Sequence, residues 1–393
     1  MGWLAGREIT VLGAGVAGLA FGWAAAQRDA KVILLEQAEA VREVGAGLQI
    51  GPNGARVLRA LGLDSAALDR VAMQARSVEM HDGLSGKRLL RMDLGARARD
   101  PGHYLFHRAD LIEVLAQGAR AAGVQLHLLT KVAGVDLSGD TPLISTAQGA
   151  QMRPALLIGA DGLQSPTRAA LNGLAKPFFT GQAAWRAVIA GDPNDAPVVQ
   201  AYLGPGRHLV SYPLRGGKLR NIIAVVEQSE WVEESWSLSD DPAKLRRAFS
   251  GFNPQARRWL DAVQDCGFWG LFRHPVAATW QREMPDGAVA IVGDAVHPTL
   301  PFLAQGAAMG LEDAHTLART LDRDGTAGLA QWQAERAPRC QKIVDGATSN
   351  ARAFHLRGPM RLAGNLALRM ADRVASGAML ARYDWIYDYD ATR

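Results

Sequence analysis

The hydrophobic pattern of the chain contains several short apolar runs that end at glycine-containing turns. Residues 9–12, 31–35, 156–160 and 288–292 are runs of this kind. Short runs bounded by turn residues are typical of strands that are buried on both faces of a parallel sheet. A helical stretch that closes near residue 27 separates the first two runs, which predicts a β-α-β unit at the N-terminus.

The middle of the chain has a different pattern. From about residue 180 to residue 270, strand-like segments with alternating apolar and polar residues are separated by glycine and proline. This pattern predicts an antiparallel sheet. Residues 241–263 then place apolar residues at helical spacing, which predicts one helix.

Composition narrows the class of protein. A chain of 393 residues with 48% hydrophobic content can form a large core, and two domains are expected. The net charge of +4 is small and the basic residues are scattered, so no nucleic-acid partner is expected. Residues 9–27 carry no charge and resemble a membrane span, but their three glycines favour a strand, a turn and a buried helix. We therefore expect no stable membrane anchor.

The cysteines give no sign of a metal site. Cys266 and Cys340 lie far apart and lack metal-ligand spacing. They are typical of buried thiols in a reducing compartment, so we expect a cytoplasmic protein without a bound metal.

The first turn carries a nucleotide-binding pattern. Gly13, Gly15 and Gly18 stand in G-x-G-x-x-G order between a strand and a helix. These glycines allow a tight turn, the approach of a pyrophosphate and close helix–strand packing, and the helix start attracts phosphate. Glu36 stands 18 positions after Gly18, where an acidic residue binds ribose hydroxyls. The pattern predicts FAD or NAD rather than NADP.

Two further strands end at turns that contain glycine and aspartate. One turn, at residues 161–162, is followed by Ser165, which can cap a helix that begins at Pro166. The other turn is at residues 293–294. A single nucleotide does not require three such turns. A ligand with two nucleotide-like ends that lies extended across the sheet would use all three.

Together these segments resemble a known family, the flavoprotein aromatic hydroxylases of the para-hydroxybenzoate hydroxylase type. Within it, the chain is most similar to salicylate hydroxylase, 3-hydroxybenzoate 6-hydroxylase and 6-hydroxynicotinate 3-monooxygenase. The matching segments lie along the chain except in its middle portion: VLGAGVAGLA (11–20), VGAGLQIGPNGARVLRALGL (44–63), HRADLIEVL (107–115), LIGADGLQSPTR (157–168) and VGDAVHPTLPFLAQGAAMGLEDA (292–314).

The resemblance implies an α/β fold with three parts. These are a Rossmann-like FAD-binding domain, an inserted antiparallel β-sheet domain for the substrate, which would form a lid over the flavin, and a C-terminal helical tail. The expected ranges are 1–75, 100–178 and 272–345 for the first part, 76–99 and 179–271 for the second, and 346–393 for the tail.

The resemblance also implies non-covalent FAD, with NADH or NADPH as a transient co-substrate. Gly15 and its neighbours would hold the FAD pyrophosphate, and Glu36 the adenosine ribose. Arg108 would contact the flavin side, Asp161 would serve both FAD and NAD(P)H, and Asp294 would bind the ribityl or pyrophosphate region. The full set of expected cofactor-binding residues is Gly13, Gly15, Val16, Ala17, Gly18, Glu36, Gln37, Gln49, Arg108, Leu129, Asp161, Asp294, Gln305, Gly306 and Ala307.

Three of these residues have structural alternatives. Arg108 could be a surface arginine near a helix start, and Asp161 could be only a helix cap. Asp294 could be a structural carboxylate at the end of a buried strand.

The segment 292–314 predicts a particular local structure. Pro298 and Pro301 hold the chain extended, because proline fixes its own φ and restrains the residue before it. A helix then begins at Gly306 with small residues, so that its N–H groups can face the electron-rich edge of the flavin. Glu312 and Asp313 lie beyond this turn and are expected to be structural.

The candidate substrate site lies in the middle of the chain. His208, Val210 and Tyr212 share one face of a predicted strand, because alternate residues point the same way. The resemblance implies that the histidine and the tyrosine face the substrate. His208, through a near-neutral pKa, would then take the proton of a phenol, with Tyr212 as hydrogen-bond partner. A structural histidine and a packed tyrosine are the alternatives.

Trp185, Pro301 and Phe302 complete the expected pocket, although a core tryptophan is an alternative for Trp185. Gln49 and Phe302 stand where hydroxynicotinate-type enzymes have histidine. A phenolic or otherwise electron-rich ring is therefore expected rather than a hydroxypyridine carboxylate.

The implied reaction is hydroxylation of such a ring with NAD(P)H and O₂ through a flavin C4a-hydroperoxide. One alternative is a flavin monooxygenase of the same fold that acts on a quinone precursor or an olefin. The other is a flavin-binding sensor without turnover. The sequence leaves open the substrate, the choice of NADH or NADPH, and whether the chain forms a homodimer.

Overall fold

The structure is a computed structural model that describes residues 2–41, 46–95, 102–174, 176–230 and 239–393, without the side chains of residues 375 and 376. Residues 44 and 45 of the segment 44–63 lie outside these ranges, and so does the expected domain boundary at 99/100. The strands are β1 (Glu8–Leu12), β2 (Lys31–Leu35), β3 (Gly47–Ile50), β4 (Ala72–Ala75), β5 (Ser77–Asp82), β6 (Arg88–Asp93), β7 (His103–His107), β8 (Gln125–His127), β9 (Val132–Asp136), β10 (Leu143–Thr146), β11 (Gln151–Met152), β12 (Leu156–Gly159), β13 (Phe178–Ala190), β14 (Val198–Gly204), β15 (Arg207–Leu214), β16 (Leu219–Glu227), β17 (Ser239–Asp240), β18 (Cys266–Arg273), β19 (Gln281–Met284) and β20 (Gly287–Ile291).

The helices alternate with the strands in the first half of the chain and dominate its last third. They are α1 (Val16–Ala26), α2 (Pro52–Ala60), α3 (Ser65–Val71), α4 (Arg108–Ala121), α5 (Pro166–Asn172), α6 (Pro242–Ala248), α7 (Pro254–Asp261), α8 (Gly306–Asp324), α9 (Leu329–Phe354), α10 (Gly358–Ala381) and α11 (Asp384–Tyr387). Among the described residues, no helix combines the length and the apolar composition that crossing a membrane requires.

A six-stranded sheet organises the first domain, in the order β19-β20-β12-β1-β2-β8. The strands from β20 to β8 are parallel, and β19 is antiparallel at the edge. Because β1, β12 and β20 are neighbours and parallel, their carboxyl ends meet at one edge of the sheet. The turns at residues 13–15, 161–162 and 293–294 are therefore adjacent, as the sequence pattern predicts.

The uncharged segment 9–27 forms β1, a turn and α1 rather than a membrane span. Residues 9–12 are buried in the sheet. Most of α1 is buried as well, because the helix packs between the sheet, α4 and α8. Removal of these apolar side chains from water is the main stabilising contribution of the segment.

An eight-stranded sheet organises the second domain, in the order β17-β18-β13-β16-β15-β14-β5-β6. One face is covered by α6 and α7, which bury Phe249, Phe252 and Leu260 against it. The other face meets the first domain through β3 and the segment at Leu300–Leu303. The α/β fold with an inserted sheet is confirmed.

Two details differ from the sequence-based predictions. The inserted sheet is antiparallel except for the pair β5–β14, which is parallel because β5 comes from an earlier part of the chain. The single helix predicted over 241–263 is two helices, because Gly251 and Pro254 interrupt it. Asn253 caps the second helix. Its side chain accepts hydrogen bonds from the N–H groups of Gln255 and Ala256.

The expected division into domains stays a prediction, and two of its boundaries fall within regular elements. The expected boundary at 345/346 lies inside α9, which runs without a break from Leu329 to Phe354. The boundary at 271/272 lies inside β18. Hydrogen-bonded elements thus continue across both positions.

Candidate active site

The glycine turn before α1 has the geometry of a phosphate cradle. Gly13 has φ of +96°, and a Cβ there would lie 2.4 Å from the carbonyl oxygen of Ala160. A Cβ at Gly18 would lie 1.9 Å from the oxygen of Gly13, so this glycine allows α1 to pack on the turn. A Cβ at Gly15 would meet no heavy atom of the described residues within 4 Å, so they leave the space in front of the helix start open. Among the described residues no side chain caps α1, which leaves its first N–H groups directed at this space.

Glu36 and Leu129 lie beside this turn. The Glu36 carboxylate accepts hydrogen bonds from the backbone N–H groups of Ala14, at 2.7 Å, and Ala38, at 2.9 Å. Leu129 donates its backbone N–H to the carbonyl of Ala38 and has φ of +53° with a side chain that is 64% exposed. A leucine in this backbone conformation costs free energy. Gln37 follows Glu36 on the surface.

Asp161 both caps a helix and borders the cradle. Its Oδ2 atom accepts hydrogen bonds from the hydroxyl of Thr167, at 2.7 Å, and the N–H of Thr167, at 3.2 Å. Its Oδ1 atom is buried and has no hydrogen-bond partner among the described residues, and desolvation raises the pKa of the carboxyl group. The capping alternative is thus observed, but it uses only one oxygen of this side chain.

The turn at Asp294 lies directly against the start of α1. A Cβ at Gly293, which has φ of +64°, would lie 2.9 Å from the Cβ of Ala17. Asp294 is exposed at the carboxyl end of β20. Burial lowers the pKa of Arg108, and the charge of Asp294 partly opposes this shift. Arg108 begins α4 and is partly buried, so the surface-arginine alternative does not describe it. The opposite charges of Asp294 and Arg108 therefore act on each other.

Hydrogen bonds between buried polar side chains fix the start of α8. As predicted, the helix begins at Gly306 and has no side-chain cap. Gln305 is buried, and its side-chain oxygen accepts a hydrogen bond of 2.9 Å from Asn53, which also donates to Glu312 at 2.7 Å. The first N–H groups of α8 remain directed towards the site. These features of the cradle fit FAD, although which helix start holds which part of it stays a prediction.

The predicted extended stretch around the two prolines is only partly extended. Leu300 has extended backbone angles, but Pro301 opens a 3₁₀ turn over Pro301–Leu303. Proline suits the first position of such a turn, because its fixed φ is helical. Phe302 is buried in this turn and packs with Trp269 and Leu271 of the inserted sheet.

Gly306→Val should weaken FAD binding or slow flavin reduction without unfolding the protein. A Cβ at Gly306 would meet only Thr299, at 3.5 Å, so the side chain would project into the open side of the helix start. Flavin content after purification and the anaerobic rate of reduction by NADH measure the effect. Gly377→Val in α10, another helical glycine with open space at its Cβ, is the control. Unchanged flavin content and reduction rate in Gly306→Val would show that α8 does not approach the flavin.

One face of the inserted sheet meets this cradle at Tyr212. A Cβ at Gly47 would lie 2.6 Å from the Tyr212 ring, and the N–H of Gly47 donates to the Asn221 side chain at 2.8 Å. Burial raises the pKa of the Tyr212 hydroxyl well above its ordinary value. The Gln49 side chain donates a hydrogen bond to this hydroxyl, which opposes part of the shift. The strand that carries Gln49 is thus joined to the strand that carries His208 and Tyr212.

Arg186 lies on the same face and was not expected from the sequence. Its guanidinium carbon is 5.1 Å from the centre of the Trp269 ring. Desolvation, opposed by Tyr212 and reinforced by the charge of Arg108, lowers the pKa of Arg186 to about 10. The charges of Arg108 and Tyr212 thus both act on the Arg186 guanidinium.

Trp185 lies apart from the other predicted pocket residues. Its indole N–H donates a hydrogen bond of 2.9 Å to Asp240, and its ring stacks on Phe268 with centroids 4.5 Å apart. These contacts place it in the core between the sheet and α6–α7. The physical reason is the alternation of the strand, because Trp185 and Arg186 point to opposite faces. We therefore do not retain Trp185 as a pocket wall.

His208 faces the site side of the sheet, but its electrostatic environment differs from the one predicted. The ring is buried against Phe302 and Phe354, with centroids 5.5 and 5.1 Å away. Its Nδ1 atom lies 2.7 Å from Nε2 of His355. Desolvation and the neighbouring His355 hold the pKa of His208 well below its ordinary value, so the near-neutral pKa that we predicted is wrong.

Sequence reasoning also missed the groups that fix the segment 292–314. Arg168 donates to the backbone carbonyls of Pro275, Ala295 and Val296. Glu312 and Asp313 are fully buried and form ion pairs with Arg336, which is consistent with the structural role expected for them. These partners are distant in sequence. The signal available from the sequence is the presence of charged residues within apolar surroundings, because charged side chains are seldom buried unless they are paired.

Comparison with known proteins agrees with this geometry. The FAD binding domain family matches residues 7–347 of the chain. The chain is 32% identical over 395 residues to the 3-amino-4-hydroxybenzoate 2-monooxygenase PtmB3 of Streptomyces platensis, covering 98% of this chain and 96% of that protein. It is 32% identical over 370 residues to the 3-hydroxybenzoate 6-hydroxylase of Klebsiella oxytoca, covering 91% of each.

A solved structure shows the same fold. A salicylate hydroxylase substrate complex superposes with a TM-score of 0.81 at 22% identity, covering 98% of this chain and 96% of that one. The family match and the two relatives extend over nearly the whole chain, from the glycine turn to α9. The protein therefore belongs to the flavoprotein aromatic hydroxylases, which are FAD-dependent monooxygenases that use NAD(P)H.

Proposed function

We propose that the protein hydroxylates an aromatic acid whose ring carries a hydroxyl or amino group. The observation that carries this proposal is Arg186, a desolvated cation on the site face of the inserted sheet, beside Tyr212 and Arg108. A guanidinium in such surroundings pairs well with a carboxylate, because both partners have planar, bidentate geometry. The named relatives act on 3-amino-4-hydroxybenzoate and 3-hydroxybenzoate, which are acids of this class.

The chain has three tasks in this reaction. Bound FAD supplies the transfer of electrons from NAD(P)H and of one oxygen atom from O₂. Arg186 orients the ring through its carboxylate, and Tyr212, held by Gln49, hydrogen-bonds the substrate. Pro301 and Phe302 exclude water from the space above the flavin. His208 accepts the proton of the ring hydroxyl and thereby makes the ring more nucleophilic.

A screen of NADH and NADPH oxidation tests the proposed function. We expect 3-hydroxybenzoate or 3-amino-4-hydroxybenzoate to stimulate oxidation and to be hydroxylated, and phenol and 2-aminophenol, which lack the carboxylate, to have little effect. Stimulation by neutral olefins or quinone precursors alone would instead favour the alternative monooxygenase. Lack of stimulation by any of these compounds would favour a flavin-binding sensor. A cytoplasmic location and a homodimer stay predictions.

Arg186→Gln is expected to raise KM for the carboxylate substrate by about 10- to 100-fold. A hydrogen bond between charged groups contributes about 1.5–3 kcal/mol, and each 1.4 kcal/mol is about a tenfold change in affinity. Steady-state kinetics with the most effective acid of the screen measure the change. Arg220→Gln is the matched control, since Arg220 is a buried arginine of the same sheet that stacks on Trp259 on the opposite face. Equal KM in wild type and Arg186→Gln would contradict the assignment.

A further inference from the structure

The C-terminal segment, residues 384–389, has no role in the reaction as described above. It forms the short helix α11 and the turn that follows it. Ile386 is buried in the core of the first domain, and Trp385 and Tyr389 pack against that core. Its polar contacts lead to both sides of the candidate active site.

Arg339, in α9, joins the segment to the flavin side of the site. It donates to the backbone carbonyls of Trp385, at 2.8 Å, and Ile386, at 2.9 Å. The same guanidinium donates to both carboxylate oxygens of Glu312, each at 2.8 Å. Glu312 belongs to the hydrogen-bonded chain that fixes Gln305 at the start of α8. Because a bidentate pair fixes orientation as well as distance, the carbonyls of the segment help to orient this chain.

Arg56 and Tyr387 join the segment to the substrate side. Arg56, in α2, donates from Nη1 to the backbone carbonyls of Tyr387, at 2.7 Å, and Tyr389, at 2.8 Å. The Tyr387 ring packs on Gly51, where a Cβ would lie 2.8 Å from the ring atom Cε1. Gly51 directly follows β3, the strand that carries Gln49. The ring therefore sets the distance between the segment and the end of β3.

The Tyr387 ring also meets β7, the neighbour of β3. Its centroid lies 5.5 Å from that of His103, and the two rings are edge to face. β3 and β7 pair along their whole length, from residues 47 and 107 to residues 50 and 104. Contact with two paired strands limits how far β3 can move, because a shift of one strand would have to break the pairing or displace the ring.

We propose that the C-terminal segment positions two glutamines of the site, Gln49 for the substrate and Gln305 for the flavin. Tyr387 and Arg56 fix the first glutamine, and Arg339 fixes the second through Glu312. The three are positioning residues, because they act through these glutamines. The effect on Gln49 rests on the proposed function, whereas the effect on Gln305 rests only on the binding of FAD.

Arg56→Met and Tyr387→Leu test the substrate side in the FAD-loaded enzyme, at saturating FAD and well below the melting temperature. The first variant removes two hydrogen bonds to the segment, and the second removes the ring that meets Gly51. Because a displaced Gln49 holds Tyr212 less well, we expect KM for the most effective acid of the screen to rise about 3- to 30-fold, with a smaller change in kcat. Arg56→Lys, which can donate to the same carbonyls, and Tyr387→Phe, which keeps the ring, should restore most of the wild-type KM.

Arg339→Lys tests the flavin side without a substrate. Lysine keeps a positive charge beside Glu312, but its three N–H donors cannot replace the four hydrogen bonds of Arg339 to two carboxylate oxygens and two carbonyls. We expect the Kd of FAD to rise about 3- to 30-fold and the absorption maxima of the bound flavin to shift. A segment that only stabilised the fold would lower the melting temperature and leave the spectrum of the saturated enzyme unchanged.

Arg246→Met is the matched control. Arg246, in α6, is another arginine that donates to a backbone carbonyl, that of Val263 at 3.2 Å, but it lies on the opposite face of the inserted sheet. Its replacement should leave KM, the Kd of FAD and the flavin spectrum unchanged. Circular dichroism identifies any variant that fails to fold, and the two substrate-side variants change different residues, so the loss of one leaves the other.

The outcomes separate this proposal from the proposed function. Wild-type KM in folded Arg56→Met and Tyr387→Leu, together with wild-type Kd and flavin spectrum in Arg339→Lys, overturns the positioning role, even if the melting temperatures fall. Hydroxylation of 3-hydroxybenzoate by the same variants would leave the proposed function intact. Failure of every acid to stimulate NAD(P)H oxidation overturns the proposed function and the role of Gln49 with it. A changed Kd and flavin spectrum in Arg339→Lys would then still support the role of the segment at Gln305.

Discussion

Gly15→Val is expected to yield a folded protein that has lost most of its FAD. The residue has φ of −76° and ψ of −176°, extended angles that valine adopts readily, and a Cβ there would meet no heavy atom within 4 Å. The fold therefore tolerates the side chain. The same side chain would occupy the space in which a pyrophosphate approaches the first N–H groups of α1. We expect FAD affinity to fall by about 100-fold or more, or about 2.7 kcal/mol.

Flavin absorbance after purification and titration of the apoprotein with FAD measure this loss, and circular dichroism during heating measures the stability of the apoprotein. Gly134→Val is the control, because that glycine also has open space at its Cβ but lies in β9, away from the cradle. Gly18→Val should instead impair folding, since its Cβ would clash with the Gly13 carbonyl. Wild-type FAD affinity in Gly15→Val would show that the pyrophosphate lies elsewhere.

Arg336→Met is expected to lower the free energy of unfolding by about 3–5 kcal/mol, the range for breaking a buried ion pair from one side. The Arg336 guanidinium donates to Glu312 at 2.7 Å and to Asp313 at 2.8 and 2.9 Å, and all three side chains are buried. Methionine fills similar volume but leaves two carboxylates without this partner. Urea unfolding of the apoprotein measures the loss.

The loss should extend to the cofactor site. Asp313 also accepts a hydrogen bond from the N–H of Gly293, at 3.1 Å, next to Asp294. Glu312 holds Asn53, which holds Gln305 at the start of α8. We therefore expect weaker FAD retention in Arg336→Met. Arg323→Met, which removes an exposed pair with Asp324, is the control and should change stability little. Equal unfolding curves for Arg336→Met and wild type would contradict this account.

Acid titration gives a second measurement of the same network. Burial raises the pKa of both carboxyl groups, but their charged partners lower it more. His297 and Arg336 hold the pKa of Asp313 below its ordinary value of 3.8. Arg336 and Arg339 hold the pKa of Glu312 below its ordinary value of 4.5. Their stabilisation is thus complete above these ordinary values and is lost as pH falls through the lower folded values. In Arg336→Met the folded pKa values rise towards or above the ordinary ones. The variant should therefore lose less stability than wild type on acidification.

Much of the cradle could be predicted from the sequence, because it depends on contacts between residues close along the chain. The tight turn at Gly13, the cap that Ser165 provides by accepting the N–H of Arg168 at 2.8 Å, and the start of α8 at Gly306 all have local causes. The edge where the three turns meet follows from the parallel order of their strands. The remaining assignment of individual residues to parts of FAD stays a prediction.

The inserted sheet shows where such reasoning stops. Alternation predicts that Trp185 and Arg186 point to opposite faces, but it does not say which face meets the FAD-binding domain, because both faces are covered. The sequence analysis named Trp185 as a pocket wall, with a core position as the alternative. Packing of α6 and α7 places Trp185 in the core and leaves Arg186 beside Tyr212.

The sequence by itself determined the family fold, the FAD cradle and the strand face that carries His208 and Tyr212, because glycine spacing, caps and alternation are local physical constraints. Only the tertiary structure decided the chemistry of that face. His355 lies 147 residues from His208 in the chain, yet it is the ring that contacts Nδ1 and, with desolvation, lowers the pKa of His208. A pKa depends on burial and on charges brought near by folding, and neither can be read from residues that are neighbours in sequence.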